Sequence, residues 1–186
     1  MTTEYYHEKN HILAKLYYDI GKQATNFDLQ HSHKQGEETI WTKRKSFLAI
    51  NPIIDKYFID NCNHRQILKN EIIFDFDRII PKETALEDYD IKKLKEELLE
   101  DNYRFVIYHT GSKGIHLHIY WDGLILLTKN DREEFRKTLF RRYKWFSGVD
   151  LQKASDSSMI ALEHTPHWKT GITKTMLYNN GVLSWK

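Results

Sequence analysis

Two aspartates one residue apart, Asp75 and Asp77, lie in the run Glu71-Ile72-Ile73-Phe74-Asp75-Phe76-Asp77. The apolar positions predict a strand, whose two-residue period puts Ile72, Phe74 and Phe76 on one face and both carboxylates on the other. Carboxylates inside an apolar strand are costly to bury without a positive partner, and no cationic residue lies between Glu71 and Asp77. A divalent metal would supply that partner. Side chains ~7 Å apart along a strand can converge on two ions ~4 Å apart, the arrangement used for in-line phosphoryl transfer. The competing reading is a strand with a wet outer face and two ordinary surface aspartates, the usual meaning of an isolated Asp-x-Asp.

A second constellation is His109-Thr110-Gly111-Ser112-Lys113-Gly114-Ile115-His116-Leu117-His118, where two glycines bracket Ser112 and Lys113 between strands. Such a turn can present backbone amides, a hydroxyl and an ammonium together, which suits a triphosphate, and His116 shares a strand face with His118 and Tyr120. A plain hairpin followed by half-buried histidines fits the same residues. The third constellation is Val149-Asp150, then Met159-Ile160-Ala161-Leu162, then His167-Trp168-Lys169-Thr170-Gly171. Asp150 could add a carboxylate to the first pair, while His167 and Lys169 alternate along an extended chain and could reach one phosphate cluster. Alone, neither the single Asp nor the Lys-Thr-Gly tripeptide is specific.

The elements that must position these residues follow from periodicity. A helix is predicted over Glu4 to Ile20, from Ile12, Leu13, Leu16, Tyr17 and Ile20. Residues 23–45 are polar and aperiodic and read as a loop or variable insertion. A short helix over Ile53 to Asn61 precedes the Asp75 strand. Then come a helix from Asp88 to Asp101, strands at Tyr103 to Tyr108 and Ile115 to Trp121, and a helix from Asn130, where Asn130 and Glu133 have capping-box spacing. Leu177 to Trp185 reads as an Asn-Gly hairpin. The expected fold is α/β of the α+β kind, a mixed sheet covered by helices. One domain spans 1–186, with a helical N-terminal portion (1–70), a motif-bearing core (71–171) and a C-terminal hairpin (172–186).

With 40% apolar and 29% charged residues the chain reads as a soluble globular protein, and no apolar run approaches the ~20 residues of a membrane span. Its start lacks a signal peptide, and the one cysteine, Cys62, excludes an internal disulfide, so the cytoplasm is the expected compartment. At a net charge of +2, any nucleic-acid surface must be local. The basic runs are Lys43-Arg44-Lys45 beside Trp41, and Arg136, Lys137, Arg141, Arg142 and Lys144. Either could hold a strand by its phosphates or decorate a solvated face.

The order of the three constellations is similar to the three signature motifs of the archaeo-eukaryotic primase and primase-polymerase superfamily. The resemblance runs from about Glu71 to Gly171. It implies that Asp75, Asp77 and Asp150 are catalytic ligands of two Mg²⁺ or Mn²⁺ ions, that Thr110, Ser112, Lys113 and His116 hold the incoming nucleotide, and that His167 and Lys169 bind its triphosphate. The implied fold is an RRM-like module beside an N-terminal αβ module, with the active site in the cleft between them. The implied activity is primer synthesis from NTPs or dNTPs on a single-stranded DNA template, in an archaeal, plasmid or viral replication setting. An accessory primase subunit or helicase would add template grip that so small a core lacks. The Thr110 and Ser112 turn is closer to the Ser-Gly-Gly-Lys-Gly form of bacterial repair polymerases than to archaeal small subunits. No arginine-rich segment precedes His167. One cysteine cannot build the family's zinc element, so no structural zinc is expected, and His31, His33, Cys62 and His64 match no standard module.

Two alternatives compete. A replication-initiator nickase of the His-hydrophobic-His class would use His116-Leu117-His118, although Tyr143 lacks the lysine expected three residues later. An inactive nucleic-acid-binding relative would have kept the fold without the chemistry. In the primase reading the three carboxylates repel without metal, so removing one is expected to leave stability equal or higher.

Overall fold

A computed structural model of the chain describes residues 11–22, 26–51, 53–143 and 149–181. Helix α1 (residues 11–20) ends in a π turn at Leu16–Ile20 and buries Ile12, Leu13, Leu16 and Ile20, the stripe its periodicity predicts. Positions 4–10 of the predicted helix lie outside the described residues. The expected loop at 23–45 is instead mostly strand: β1 (Asp28–Gln30), β2 (Ser32–Gln35), β3 (Glu38–Trp41) and β4 (Lys45–Ser46). Each is too short to show a period, and among the described strands β2 and β3 pair only with each other, as a largely solvated ribbon. Its turn carries Gly36 at φ 62°, in the left-handed region. The N-terminal portion is therefore a helix-backed sheet and not a helical unit.

After α2 (Lys56–Asn61) and β5 (His64–Gln66) come β6 (Glu71–Phe76), α3 (Tyr89–Glu100), β7 (Phe105–His109), β8 (Ile115–Tyr120), α4 (Lys129–Arg142), β9 (Met159–Ala161) and β10 (Thr175–Asn179). Two antiparallel sheets result, ordered β4-β1-β5-β9 and β10-β7-β8-β6. This is the mixed α+β architecture expected. On the second sheet, Ile72, Phe74, Phe76, Phe105, Ile107, Ile115, Leu117 and Ile119 form one core with Ile91, Leu94 and Leu98 of α3 and Leu139 and Phe140 of α4. The opposite face carries Ile73, which packs with Ile67 and Ile160 near the first sheet. Both helices thus cover one face and leave the aspartate and histidine positions on the other.

The N-cap of α4 is Thr128, whose hydroxyl accepts from the Asp131 amide, two residues before the expected Asn130. The tail differs too. β10 pairs with β7, and the Asn180 side chain accepts from the Phe105 amide and donates to the Tyr103 carbonyl, while the second arm of the expected hairpin lies outside the described residues.

The two sheets are joined through a fully buried cluster. Arg65 of β5 donates to both oxygens of Glu71 (2.7 Å each) and both of Glu163 (2.8 Å each). Lys174 reaches Glu163 at 3.1 Å and His118 Nε2 at 3.3 Å, and His118 Nδ1 lies 2.7 Å from Glu71. Burial pushes the His118 ring down to about 4, helped by Lys174, so it is neutral; Nδ1–H donates to Glu71 and Nε2 accepts from Lys174. Burial also takes His64 down to about 3. In the unfolded chain both rings titrate near 6.5, so between that value and the folded ones the unfolded state binds more protons and stability falls as pH falls. We expect a loss of about 2–3 kcal/mol per pH unit near pH 5.5, from two protons at ~1.4 kcal/mol each. Urea denaturation at pH 7.5, 6.5 and 5.5 in chelator should show it; a midpoint that does not move would mean that the rings are protonated in the fold.

Candidate active site

The candidate site lies where β6 ends. Asp75 faces His116 in direct cross-strand register, with His116 Nε2 3.4 Å from Asp75 Oδ1. Asp77 is one residue beyond the strand, exposed, and 3.2 Å from the Lys113 ammonium. Asp150 is brought alongside by a bridge between Phe76 and Val149 and by its own amide, which donates to the Asp75 carbonyl at 3.3 Å. Its carboxylate then caps a 3₁₀ turn, Leu151–Ala154, by accepting from the Gln152 amide. That turn aims Lys153 between the carboxylates, 3.5 Å from Asp75 Oδ2 and 3.6 Å from Asp150 Oδ2. Burial alone would raise the Asp75 carboxyl; His116 and Lys153 overcome it and hold the group well below the usual carboxylate range.

The turn between β7 and β8 needs both its glycines. Gly111 sits at φ 79°, where a Cβ would lie 2.1 Å from the Ile172 carbonyl oxygen, and a Cβ on Gly114 would lie 2.3 Å from that of Phe76. Thr110 Oγ1 accepts from the amides of Ser112 and Gly114, and the Gly111 amide donates to His109 Nδ1. These three amides are therefore engaged inside the turn and are not presented as the sequence reading expected, and the Thr110 hydroxyl shapes the turn. What it offers outward is the Ser112 hydroxyl and the Lys113 ammonium.

Opposite, residues 166–173 form a tight hairpin closed by a bridge from Pro166 to Thr173 and by the His167 amide donating to the Ile172 carbonyl. His167 Nδ1 accepts from the Lys169 amide, which leaves Nε2 toward the cleft. Thr170 Oγ1 donates to the Gly111 carbonyl and ties this hairpin to the Ser112 turn. Burial lowers the His167 and His116 rings, with Asp75 opposing the shift at His116. His116 Nδ1 is buried without a hydrogen-bond partner.

All nine expected residues, Asp75, Asp77, Asp150, Thr110, Ser112, Lys113, His116, His167 and Lys169, line one cleft of about 440 Å³ between the two sheets. Among the polar and aromatic residues that also line it, sequence reasoning missed Trp41, His64, Lys153 and Trp168. Lys153 had a readable signal, one turn after Asp150, where a basic side chain can fold back on the carboxylate. His118 does not join them. Both its nitrogens are engaged in the buried cluster, so His116 and His118 do not form a paired ligand site of the nickase kind. The Tyr143 hydroxyl, for its part, donates to Asp101.

The basic residues divide differently from expectation. Arg136 is fully buried and donates to the carbonyls of Leu68, Lys69, Glu71 and Ala154 and to Asp156, so it is unavailable to a strand. With Arg132, which also holds Asp156, it fastens the segment that follows Asp150. Arg141 is exposed, and Arg142 pairs with Asp101 at 2.6 Å, on the helix layer across the sheet from the cleft; Lys144 lies outside the described residues. Lys43 and Arg44 are exposed, and Arg44 donates to the Ser157 carbonyl. Arg136→Ala is expected to cost about 3–5 kcal/mol, because buried acceptors lose their donor. Equilibrium denaturation checks this, and a cost under ~1 kcal/mol would mean that water replaces the guanidinium.

Three carboxylates at one cleft mouth are hard oxygen donors of the kind Mg²⁺ or Mn²⁺ takes, so the residues fit such ions in type. Their ligand atoms are not gathered within 4.8 Å of one another; among the described residues that spacing is met by Glu71, His118 and Glu163. That buried trio could hold a metal by distance, but Arg65 and Lys174 already balance its two carboxylates.

No protein-family model matches the sequence, and no curated protein matches it. Among solved structures, the polymerase domain of Mycobacterium tuberculosis Ligase D, in complex with DNA, superposes with a TM-score of 0.57 at 10% identity, over 88% of this chain and 78% of that one. The chain shares the fold of that polymerase domain. Among the described residues no helix is long and apolar enough to cross a membrane.

Proposed function

We propose that this protein is a metal-dependent nucleotidyltransferase of the primase-polymerase type, which joins nucleoside triphosphates on a single-stranded DNA template. The observation that carries the reading is convergence: three segments far apart in the chain, around Asp75, Ser112 and His167, meet with Asp150 at one cleft between two sheets. The polymerase domain of like fold supports it. Asp75, Asp77 and Asp150 would hold Mg²⁺ or Mn²⁺, which when bound supplies charge for the attacking and leaving oxygens. The chain's own residues do the positioning. Lys113 and Lys169 set two ammoniums on either side of the cleft for the phosphates, Ser112 adds a hydroxyl, and His167, whose Nδ1 accepts from the Lys169 amide, keeps Nε2 for a phosphate oxygen, while His116 steadies Asp75 through its own Nε2. Lys153, between Asp75 and Asp150, balances their charge and must yield when a cation enters.

The test is incubation with single-stranded template, labelled NTPs or dNTPs and Mn²⁺, with and without a primer. Incorporation that stops in the Asp150→Asn variant supports the proposal. No incorporation together with no Mn²⁺-dependent nucleotide binding would instead favour an inert nucleic-acid-binding relative.

A further inference from the structure

Trp41 and Trp168 belong to elements distant in sequence, the β2–β3 ribbon and the hairpin after Pro166, yet their ring centroids are 6.4 Å apart at 65°, forming an open corner. Trp41 is 48% exposed and rests its edge on His64 at 4.8 Å. Trp168 is half-buried and carries the Lys169 ammonium 4.8 Å and the Lys34 ammonium 5.6 Å from its ring centre. Both rings wall the catalytic cleft. Trp168 also walls a second cavity of about 250 Å³, which runs along β2 past His31, His33, Lys34 and Asn63. The acid bordering that second cavity, Asp60, is paired with Lys56 at 2.7 Å. Two cavities therefore meet at one indole, with aromatic faces and ammoniums interleaved across the junction.

We propose that this corner is a stacking platform for single-stranded nucleic acid, on which unpaired bases lie against Trp168 and Trp41 as the strand passes from the cleft into the β2 groove. This inference rests on the polymerase reading for the strand's role as template or primer, but the binding itself needs neither metal nor triphosphate. An extended ligand is favoured because the surface continues past the cleft, beyond the reach of one nucleotide seated on Lys113 and Lys169. A polyanion is favoured because Lys34 and Lys169 flank the stacking face, where a base sliding onto the indole would move the ammoniums sideways onto its own phosphates. Stacking tolerates any base, as a copied strand requires.

The experiment is fluorescence anisotropy in EDTA, without nucleotides, using a labelled dT 12-mer and an abasic strand of equal length that keeps the phosphates. Wild type should bind the base-bearing strand about tenfold more tightly than the abasic one, and Trp168→Ala and Trp41→Ala should each remove most of that difference while leaving abasic binding unchanged. Trp168→Phe should restore it in large part. Lys34→Glu should weaken both strands equally and make the salt dependence shallower by about one phosphate. Circular dichroism melts establish that each variant is folded, and Trp168→Phe keeps the test open should Trp168→Ala fail to fold. Equal wild-type affinity for the two strands overturns the proposal, as does an equal loss on both strands in Trp168→Ala. A loss confined to Mn²⁺-dependent nucleotide binding would assign the corner to the incoming base and would likewise overturn it. Because strand binding is read without catalysis, a protein that binds as expected but incorporates nothing would refute the polymerase reading alone.

Discussion

Arg65→Met should lower the melting temperature by roughly 10–15 °C, from a loss of about 3–5 kcal/mol in a chain of this size. The guanidinium donates to both oxygens of Glu71 and of Glu163, and all three side chains are fully buried. Burial opposes every charge in the cluster; Arg65 holds both acids ionised well below their ordinary range, and the acids hold Arg65 charged. Methionine fills similar volume but leaves two carboxylates against one lysine, and burial already lowers that lysine. At least one acid must then take up a proton in a dry site, with the Leu68 amide losing part of its acceptor at Glu71 Oε2. Because β5 and β6 belong to different sheets, the damage should appear as loss of cooperative unfolding, read by calorimetry at pH 7.5. A variant melting within ~3 °C of wild type would mean that the sheets are joined by their apolar contacts alone.

Asp75→Asn and Asp150→Asn should each cut metal-dependent incorporation by on the order of 10³-fold or more, since a neutral amide neither binds a hard cation well nor keeps the charge geometry for transfer. The effect on stability should run opposite to the sequence expectation. Without metal, Asp75 is not repelled: it sits 3.4 Å from His116 and 3.5 Å from Lys153, and a carboxyl held below its ordinary range marks a net attraction in the fold. A carboxyl whose folded value lies below its unfolded one stabilises above the unfolded value and loses that contribution as pH falls. Asp75→Asn should therefore melt slightly lower than wild type at pH 7 and converge with it in acid. Single-turnover incorporation and melting curves on the same preparations separate the two effects; near-normal turnover in either variant would remove that residue from the proposed metal site.

The motif-bearing half of the molecule was legible because its strands are long and apolar enough to impose a period. Ile72, Phe74 and Phe76 alternate with Asp75, and the register that pairs Asp75 with His116 follows from that alternation. The first sheet was not legible. Its strands run two or three residues, too short to impose a period, and are tied by side-chain bonds such as Gln66 accepting from the Asp28 amide, which leave no hydrophobic pattern. Arg136 misled for a related reason: a buried arginine and a solvated one look alike in a basic helix until its acceptors, four carbonyls from other parts of the chain, are in place. His118 shows the converse, a histidine that shares the face of a site residue yet is committed to holding the sheets together.

The β2–β3 ribbon has backbone partners only within itself among the described strands, and its Gly36 tip meets no other atoms within 4 Å of where a side chain would begin. In engineering terms it is an exchangeable part. Peptides can be spliced in, or a dye attached, at the tip without entering either core, and ribbons of other length or charge can be grafted between Ser32 and Trp41 to probe the proposed stacking corner while the carboxylates on β6 keep their positions.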